Sequence, residues 1–85
     1  MIKIYTAMLC PFCARAKNLL KSKQVKFEEI DVSFDPATRA KMRDAAGGVN
    51  SVPQIWIGET HVGGSDDLAA LDRNGELDKL LAAAA

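Results

Sequence analysis

Metal-binding and cross-linking residues are scarce in this chain, which has two cysteines and one histidine among its 85 residues. One chain therefore lacks the ligands of a tetrahedral zinc site, and only a zinc ion shared between two chains remains open. Both cysteines lie in the segment Cys10-Pro11-Phe12-Cys13. A disulfide across so short a loop removes little entropy from the unfolded chain, so a purely structural disulfide is disfavoured.

Long hydrophobic runs and an excess of one charge are also absent. No apolar stretch approaches the about 20 residues of a membrane-spanning helix, and residues 1–5 lack the apolar core of a signal peptide. The 11 Lys and Arg residues balance the 11 Asp and Glu residues, which excludes a general attraction to nucleic acid or acidic membranes. We therefore expect a soluble, cytoplasmic protein, and in a reducing compartment the two cysteines would cycle chemically.

The length and composition suit one small globular domain that spans residues 1–85. The chain is 48% hydrophobic, which is enough for one core, but it is too short for two cores. A separate cofactor-binding domain is therefore excluded.

The cysteine pair lies where the hydrophobic pattern changes its period. Residues 2–6 are β-branched and alternating, which predicts a strand, whereas residues 14–21 are good helix formers. Pro11 suits the first position of that helix, because this position needs no N–H group. The free N–H groups and the positive dipole end at a helix N-terminus favour a thiolate, so Cys10 is the predicted nucleophile. Cys13 lies one turn further on the same side, close enough to attack Cys10.

Two unrelated buried cysteines are the ordinary alternative to a redox pair. Their close spacing at a strand-to-helix turn argues against that alternative. The local pattern therefore predicts a redox-active pair.

The middle of the chain predicts a second strand and a second helix. Residues 25–32 alternate between apolar and polar side chains through much of their length, which predicts a strand. A strand–helix–strand unit with short links makes the first two strands parallel neighbours. Asp35 is the predicted N-cap of the second helix, with Pro36 at its first position and Met42 on its inward face. The glycines at 47–48 end it.

A hairpin and two helices are predicted for the last third of the chain. Residues 54–57 form a strand that turns tightly into a short antiparallel strand at 61–62. Trp56 is expected to pack on the sheet, and His61 is expected to be a surface or packed residue rather than a base. Ser65 or Asp66 caps the next helix.

Asn74-Gly75 breaks that helix, and the last one runs from Glu76 to about Ala82, with frayed alanines after it. The glycines at 63–64 would let N–H groups at the start of the helix that follows them approach a carboxylate. Taken alone, however, this segment is better explained as a plain turn with a cap.

This order of elements resembles the thioredoxin fold, and nearly the whole chain resembles the small dithiol glutaredoxins. The fold implied is an α/β thioredoxin fold with a four-stranded mixed sheet flanked by helices. The matching segments, in order, are Ile4-Tyr5-Thr6, Cys10-Pro11-Phe12-Cys13, Ala16-Lys17, Ser51-Val52-Pro53-Gln54-Ile55 and Gly63-Gly64-Ser65-Asp66-Asp67-Leu68.

The resemblance implies a monomeric, glutathione-dependent thiol–disulfide oxidoreductase that reduces protein disulfides and protein–glutathione mixed disulfides. Cys10 is then the nucleophile and Cys13 the resolving thiol, with glutathione as reducing co-substrate and no metal. The resemblance also implies a cis peptide bond before Pro53. The glutathione contacts implied are Cys10, Phe12, Val52, Pro53, Gly64, Ser65 and Asp66.

Some residues depart from the family pattern. Ala7 stands where a lysine is common, three residues before the nucleophile, and the loop at 47–50 lacks the usual Arg or Gln. Phe12 replaces a frequent tyrosine, and Ser51 replaces a threonine. We therefore expect weaker electrostatic interactions around the site than the family usually has.

Two other functions remain open. In the first, two chains and two glutathiones hold a [2Fe–2S] cluster through Cys10, although Pro11 and the second cysteine favour redox-active members. In the second, a flavoprotein reductase reduces the chain as it would a thioredoxin, although the turn at 63–67 suits glutathione.

Overall fold

The computed structural model describes residues 1–84, which form four strands and four helices. The elements in chain order are β1 (Ile2–Thr6), α1 (Pro11–Ser22), β2 (Glu28–Asp31), α2 (Pro36–Ala45), β3 (Gln54–Ile57), β4 (Thr60–Gly63), α3 (Ser65–Arg73) and α4 (Glu76–Ala84). The sheet has the order β2-β1-β3-β4, with β1 parallel to β2 and the other two pairs antiparallel. The thioredoxin-like mixed sheet expected from the sequence is therefore confirmed.

The antiparallel pairing of β1 with β3 positions the site. Tyr5, near the end of β1, lies opposite Gln54, the first residue of β3. The loop that leaves β1 and the loop that enters β3 therefore meet at one edge of the sheet. Cys10 follows the first loop, and Pro53 ends the second.

The main core lies between one face of the sheet and helices α1, α3 and α4. Ile4 and Ile55 point to this face and are fully buried with Leu20, Leu68 and Leu77. Burying each such side chain contributes about 1.5–3 kcal/mol, so this cluster holds the helices on the sheet. Within residues 1–84, every helix is too short or too polar to span a membrane.

Helix α2 lies on the other face of the sheet. Its N-cap is Asp35, whose Oδ1 accepts the N–H of Thr38 at 3.1 Å, and Pro36 is its first residue. Met42 is 1% exposed, so its predicted inward orientation is confirmed. The helix ends before Gly47, which has a positive φ of 71°.

Strand β2 is shorter than the sequence pattern predicts. The ladder with β1 begins at the pair Lys3 and Glu28. Residues 25–27, which the pattern of apolar and polar residues assigned to this strand, precede the ladder and are not part of β2. Val25 and Phe27 nevertheless pack against the main core.

The start of α3 and the end of α4 differ from expectation, whereas the break at Asn74-Gly75 and the start of α4 at Glu76 are as predicted. The N-cap of α3 is Gly64, because Ser65 is already helical and the Gly64 N–H donates to Oδ2 of Asp67 at 2.9 Å. Alanines 82–84 continue α4 rather than fray, in keeping with the high helix propensity of alanine and the burial of Leu81. Ala85, also expected to fray, lies outside the described residues.

Candidate active site

Cys10 is the N-cap of α1, in an extended conformation with φ −114° and ψ 99°. Its Sγ accepts the backbone N–H of Cys13 at 3.1 Å. The two cysteines form a disulfide with their Cα atoms 5.2 Å apart. In the reduced protein, the same N–H group and the helix dipole stabilise negative charge on the Cys10 sulfur.

The two sulfurs differ in their access to solvent. Cys10 is partly exposed, whereas Cys13 is only 2% exposed. A reagent from solution therefore reaches the Cys10 sulfur first. Cys13 is positioned to react with Cys10 rather than with a large external molecule.

An open groove of about 470 Å³ lies beside Cys10. The Cys10 Sγ is 3.8 Å from the carbonyl oxygen of Val52, which lines the groove. The structure thus brings all seven predicted contact residues to one place. The six that line the groove are Phe12, Val52, Pro53, Gly64, Ser65 and Asp66.

The Val52-Pro53 segment forms the groove wall nearest the sulfur. The peptide bond between these residues is cis, as the family resemblance implies. Val52 lies outside the strands and makes none of the backbone hydrogen bonds found among the described loops and turns. Its backbone is therefore available to pair with an extended peptide beside Cys10.

The N-terminus of α3 forms the far end of the groove. The N–H groups of Ser65 and Asp66 lie in its first turn, where no preceding helical carbonyl can accept them. The Ser65 hydroxyl is buried and has no hydrogen-bond partner within the described residues. Asp66 is exposed beside it. An anion can accept from the helix start, while a cation can approach the Asp66 carboxylate.

Gly63 is required at the turn into this helix. Its φ is 110°, in the region that favours glycine, and a Cβ there would collide with the Asp67 carboxylate. The carboxylate in turn accepts the Gly64 N–H. Two adjacent residues therefore shape the helix start around Asp67.

A hydrogen-bonded chain that the sequence analysis missed supports the groove wall. Gln54 is 2% exposed, and its Nε2 donates to the carbonyl oxygen of Ser51 at 3.0 Å. The amide oxygen of Gln54 lies 2.7 Å from Nε2 of His61, so that nitrogen carries the proton. His61 also stacks on Trp56 with ring centroids 4.5 Å apart. The feature of the sequence that could have revealed this chain is a glutamine at a strand position that faces the core, because a buried amide needs hydrogen-bond partners.

Ala7 brings no charge to the site, but a nearby arginine does. The Arg15 guanidinium lies 5.4 Å from the centre of the Phe12 ring. Arg39 donates to the backbone oxygen of Asn50 at 2.8 Å. Lys17 is bound to Glu29 at 3.1 Å. Arg15 therefore places a positive charge against one residue of the groove, Phe12.

The described residues offer no ready metal site. Within residues 1–84, no three His, Cys, Asp or Glu side chains lie close enough together to hold a metal ion.

Comparisons with known proteins agree with this geometry. The glutaredoxin family model matches residues 2–62. A glutaredoxin of Pseudomonas aeruginosa is 56% identical over 82 residues, which cover 96% of each chain.

Solved structures give the same match. The solution structure of glutaredoxin from Brucella melitensis is 54% identical, with a TM-score of 0.83 and coverage of 94% of this chain and 86% of the other. A buckwheat glutaredoxin–glutathione complex shares the fold, with a TM-score of 0.90, 24% identity, and coverage of 98% and 77%. The chain therefore belongs to the glutaredoxin family and is a thiol–disulfide oxidoreductase with the thioredoxin fold.

Proposed function

We propose that this enzyme uses glutathione to reduce protein disulfides and protein–glutathione mixed disulfides. The observation that carries the proposal is the line of groups along the groove. It begins at the Cys10 sulfur, continues past the free backbone of Val52 and ends at the N-terminus of α3. Glutathione carries a thiol, a peptide backbone and a γ-glutamyl carboxylate in the same order.

The cysteinyl and γ-glutamyl residues of glutathione each have a partner along this line. The cysteinyl residue pairs with the backbone of Val52, which places its sulfur beside Cys10. The γ-glutamyl carboxylate accepts from the N–H groups of Ser65 and Asp66, while its ammonium faces the Asp66 carboxylate. The Phe12 ring covers one side of the bound tripeptide.

With a glutathionylated protein, the reaction needs only Cys10. Its thiolate attacks the glutathione sulfur, the protein sulfur leaves as a thiolate and takes a proton, and Cys10 becomes glutathionylated. A second glutathione then attacks the glutathione sulfur bound to Cys10. The products are oxidised glutathione and the free Cys10 thiolate. One free glutathione is therefore consumed for each protein thiol released, because the other half of the oxidised glutathione comes from the substrate.

With a protein disulfide, Cys13 is also needed. Cys10 attacks one substrate sulfur and forms a mixed disulfide, and the other substrate sulfur leaves. Cys13 then attacks the Cys10 sulfur, releasing the reduced protein and forming the Cys10–Cys13 disulfide seen here. Two glutathiones restore the dithiol and leave as oxidised glutathione.

The decisive experiment compares the wild type with the Cys10→Ser and Cys13→Ser variants. Each protein is assayed for reduction of the mixed disulfide of cysteine and glutathione, in the presence of glutathione, glutathione reductase and NADPH. We expect Cys10→Ser to be inactive and Cys13→Ser to stay active. With a protein disulfide as substrate, both variants should be inactive.

Two results would contradict the proposal. Folded, reduced wild type that is reduced by a flavoprotein reductase but not by glutathione would indicate a thioredoxin-like carrier. Brown protein with visible absorption after anaerobic purification, and without turnover, would indicate a cluster carrier.

We place the enzyme in the cytoplasm, as a monomer. Both cysteines belong to the active-site pair, so none is left for a structural disulfide. A reducing compartment suits that usage. Fractionation of cells and light scattering of the purified protein test the two statements.

A further inference from the structure

Exposed hydrophobic side chains are concentrated around Cys10. Six large hydrophobic residues among those described are exposed, and five of them lie on segments that surround Cys10. Phe12 and Val49 line the groove assigned to glutathione. Three others lie outside that groove and are called the apolar rim here: Met8, Leu9 and Phe34.

Leu9 has an unusual conformation that brings it no packing within the chain. Its φ is 53°, in the left-handed region that residues other than glycine adopt at a cost. Its side chain is nevertheless 97% exposed. A backbone outlier beside a nucleophile, with an apolar side chain held in solvent, points to a contact with another molecule.

Phe34 belongs to a second loop that is tied to the first. It is 87% exposed, in the loop between β2 and α2. The neighbouring Ser33 accepts the N–H of Met8 at its Oγ, over 2.7 Å. Since consecutive Cα atoms are about 3.8 Å apart, this bond holds the two loops of the rim side by side next to Cys10.

We propose that the apolar rim is a docking surface for the substrate protein, and that it selects substrate cysteines flanked by apolar residues. The inference rests on the proposed function and adds a substrate preference to it. The rim carries no charged side chain, so an apolar segment of polypeptide matches it best.

The chemistry of disulfide exchange determines what lies on the rim. During either reaction the substrate sulfur is within two S–S bonds, about 4 Å, of the Cys10 sulfur. Residues next to the substrate cysteine must therefore lie over the residues next to Cys10. In the proposed function glutathione lies in the groove lined by Val52 and the start of α3, so the polypeptide approaches over Leu9 and its neighbours.

Two glutathionylated peptides test this preference. In one peptide leucines flank the cysteine, as in Ala-Leu-Cys-Leu-Ala, and in the other serines replace both leucines. For the wild type we expect kcat/KM to be about tenfold higher with the leucine peptide, since burying part of two apolar side chains suffices for that factor. The small cysteine–glutathione mixed disulfide serves as the reference substrate.

Variants of the rim should remove the preference without changing the reference reaction. Leu9→Asn removes the apolar side chain but keeps a residue that tolerates the left-handed conformation. Combined with Phe34→Ser, it should reduce the ratio between the peptides to about one. Leu9→Met keeps an apolar side chain and should keep the preference, as should Glu59→Ser in the β3–β4 turn at the opposite end of the sheet.

Three results would overturn the inference. The first is a wild-type ratio near one, and the second is a ratio that survives in the double variant. The third is a wild type that forms dimers at assay concentration and that Leu9→Asn converts to monomers, because a second copy would then cover the rim. If the reference substrate itself is not reduced, the proposed function fails and this inference fails with it.

Discussion

His61 and Gln54 are joined by a hydrogen bond of 2.7 Å between Nε2 of the histidine and Oε1 of the glutamine. The same glutamine donates to the carbonyl oxygen of Ser51, one residue before the backbone that faces Cys10. The pair thus connects strand β4 to the groove wall. It acts on the site through Ser51 rather than by contact with the Cys10 sulfur.

Replacing Gln54 by methionine should loosen this wall. The side chain keeps its size but loses both hydrogen bonds, which should reduce the free energy of unfolding by about 1–2 kcal/mol. The KM for glutathione should rise several-fold while kcat changes less, because the Cys10 environment is retained. Steady-state kinetics and urea unfolding measure the two effects. Trp56→Phe is the control, since it alters the stacking on His61 but not the hydrogen bonds of Gln54. An unchanged KM for glutathione in Gln54→Met would contradict the role assigned to Gln54.

Elements set by local signals could be predicted from the sequence. Cys10 at the helix start, the Asp35 cap and the glycine at residue 47 are each specified by residues next to them in the chain. The groove residues were placed through the family resemblance. The structure shows that six of them line one groove.

Contacts between distant side chains could not be predicted in this way. Arg39 and Asn50 are 11 residues apart, and their bond depends on how α2 packs against the following loop. Gly64 as the cap of α3 was missed because Ser65 and Asp66 are the better capping residues by preference. Only the backbone shows that Ser65 is already helical and that Asp67 reaches back to Gly64.

The buried hydroxyl of Ser65 should matter for glutathione rather than for folding. In the free protein it has no partner within the described residues, so Ser65→Ala should leave the free energy of unfolding unchanged or raise it by up to about 1 kcal/mol. When a γ-glutamyl carboxylate is bound, the hydroxyl can donate to it. The KM for glutathione should therefore rise about tenfold in Ser65→Ala, equivalent to about 1.4 kcal/mol.

Unfolding curves and kinetics on the same preparation separate these two effects. Ser22→Ala, on α1 and away from the groove, is the matched control. A Ser65→Ala protein that is clearly less stable but binds glutathione normally would show that the hydroxyl has a structural partner instead.

Glu29 should make the stability of the fold depend on acid pH. The Thr6 hydroxyl donates to its Oε2 at 2.8 Å, and Lys17 lies nearby, which lowers the pKa of Glu29 below its usual 4.5. The folded protein therefore binds this proton more weakly than the unfolded chain does. The stabilisation is fully present above about pH 4.5 and is lost as the pH falls through the folded pKa.

Glu29→Gln should consequently be less stable than the wild type at neutral pH, by less than about 1 kcal/mol because the carboxylate is partly exposed. The difference should shrink as the pH falls below about 4.5. Urea unfolding across this range measures it, with Glu28→Gln on the same strand as control. A difference that stays constant with pH would show that charge on Glu29 is not the cause.

Introducing a lysine at residue 7 should strengthen the electrostatic interactions of the site. Ala7 is partly exposed and precedes Cys10 by three residues. An ammonium about 8 Å from the Cys10 thiolate or from a glutathione carboxylate would contribute about 0.5 kcal/mol in a water-like dielectric, or a two- to threefold gain in kcat/KM.

Ala7→Gln adds similar bulk without charge and should show no gain. Since the Debye length is about 8 Å at physiological ionic strength, the advantage of the lysine variant should decrease as salt is added. An equal gain in the glutamine variant, or a gain that does not depend on salt, would show that the side chain acts through packing rather than charge.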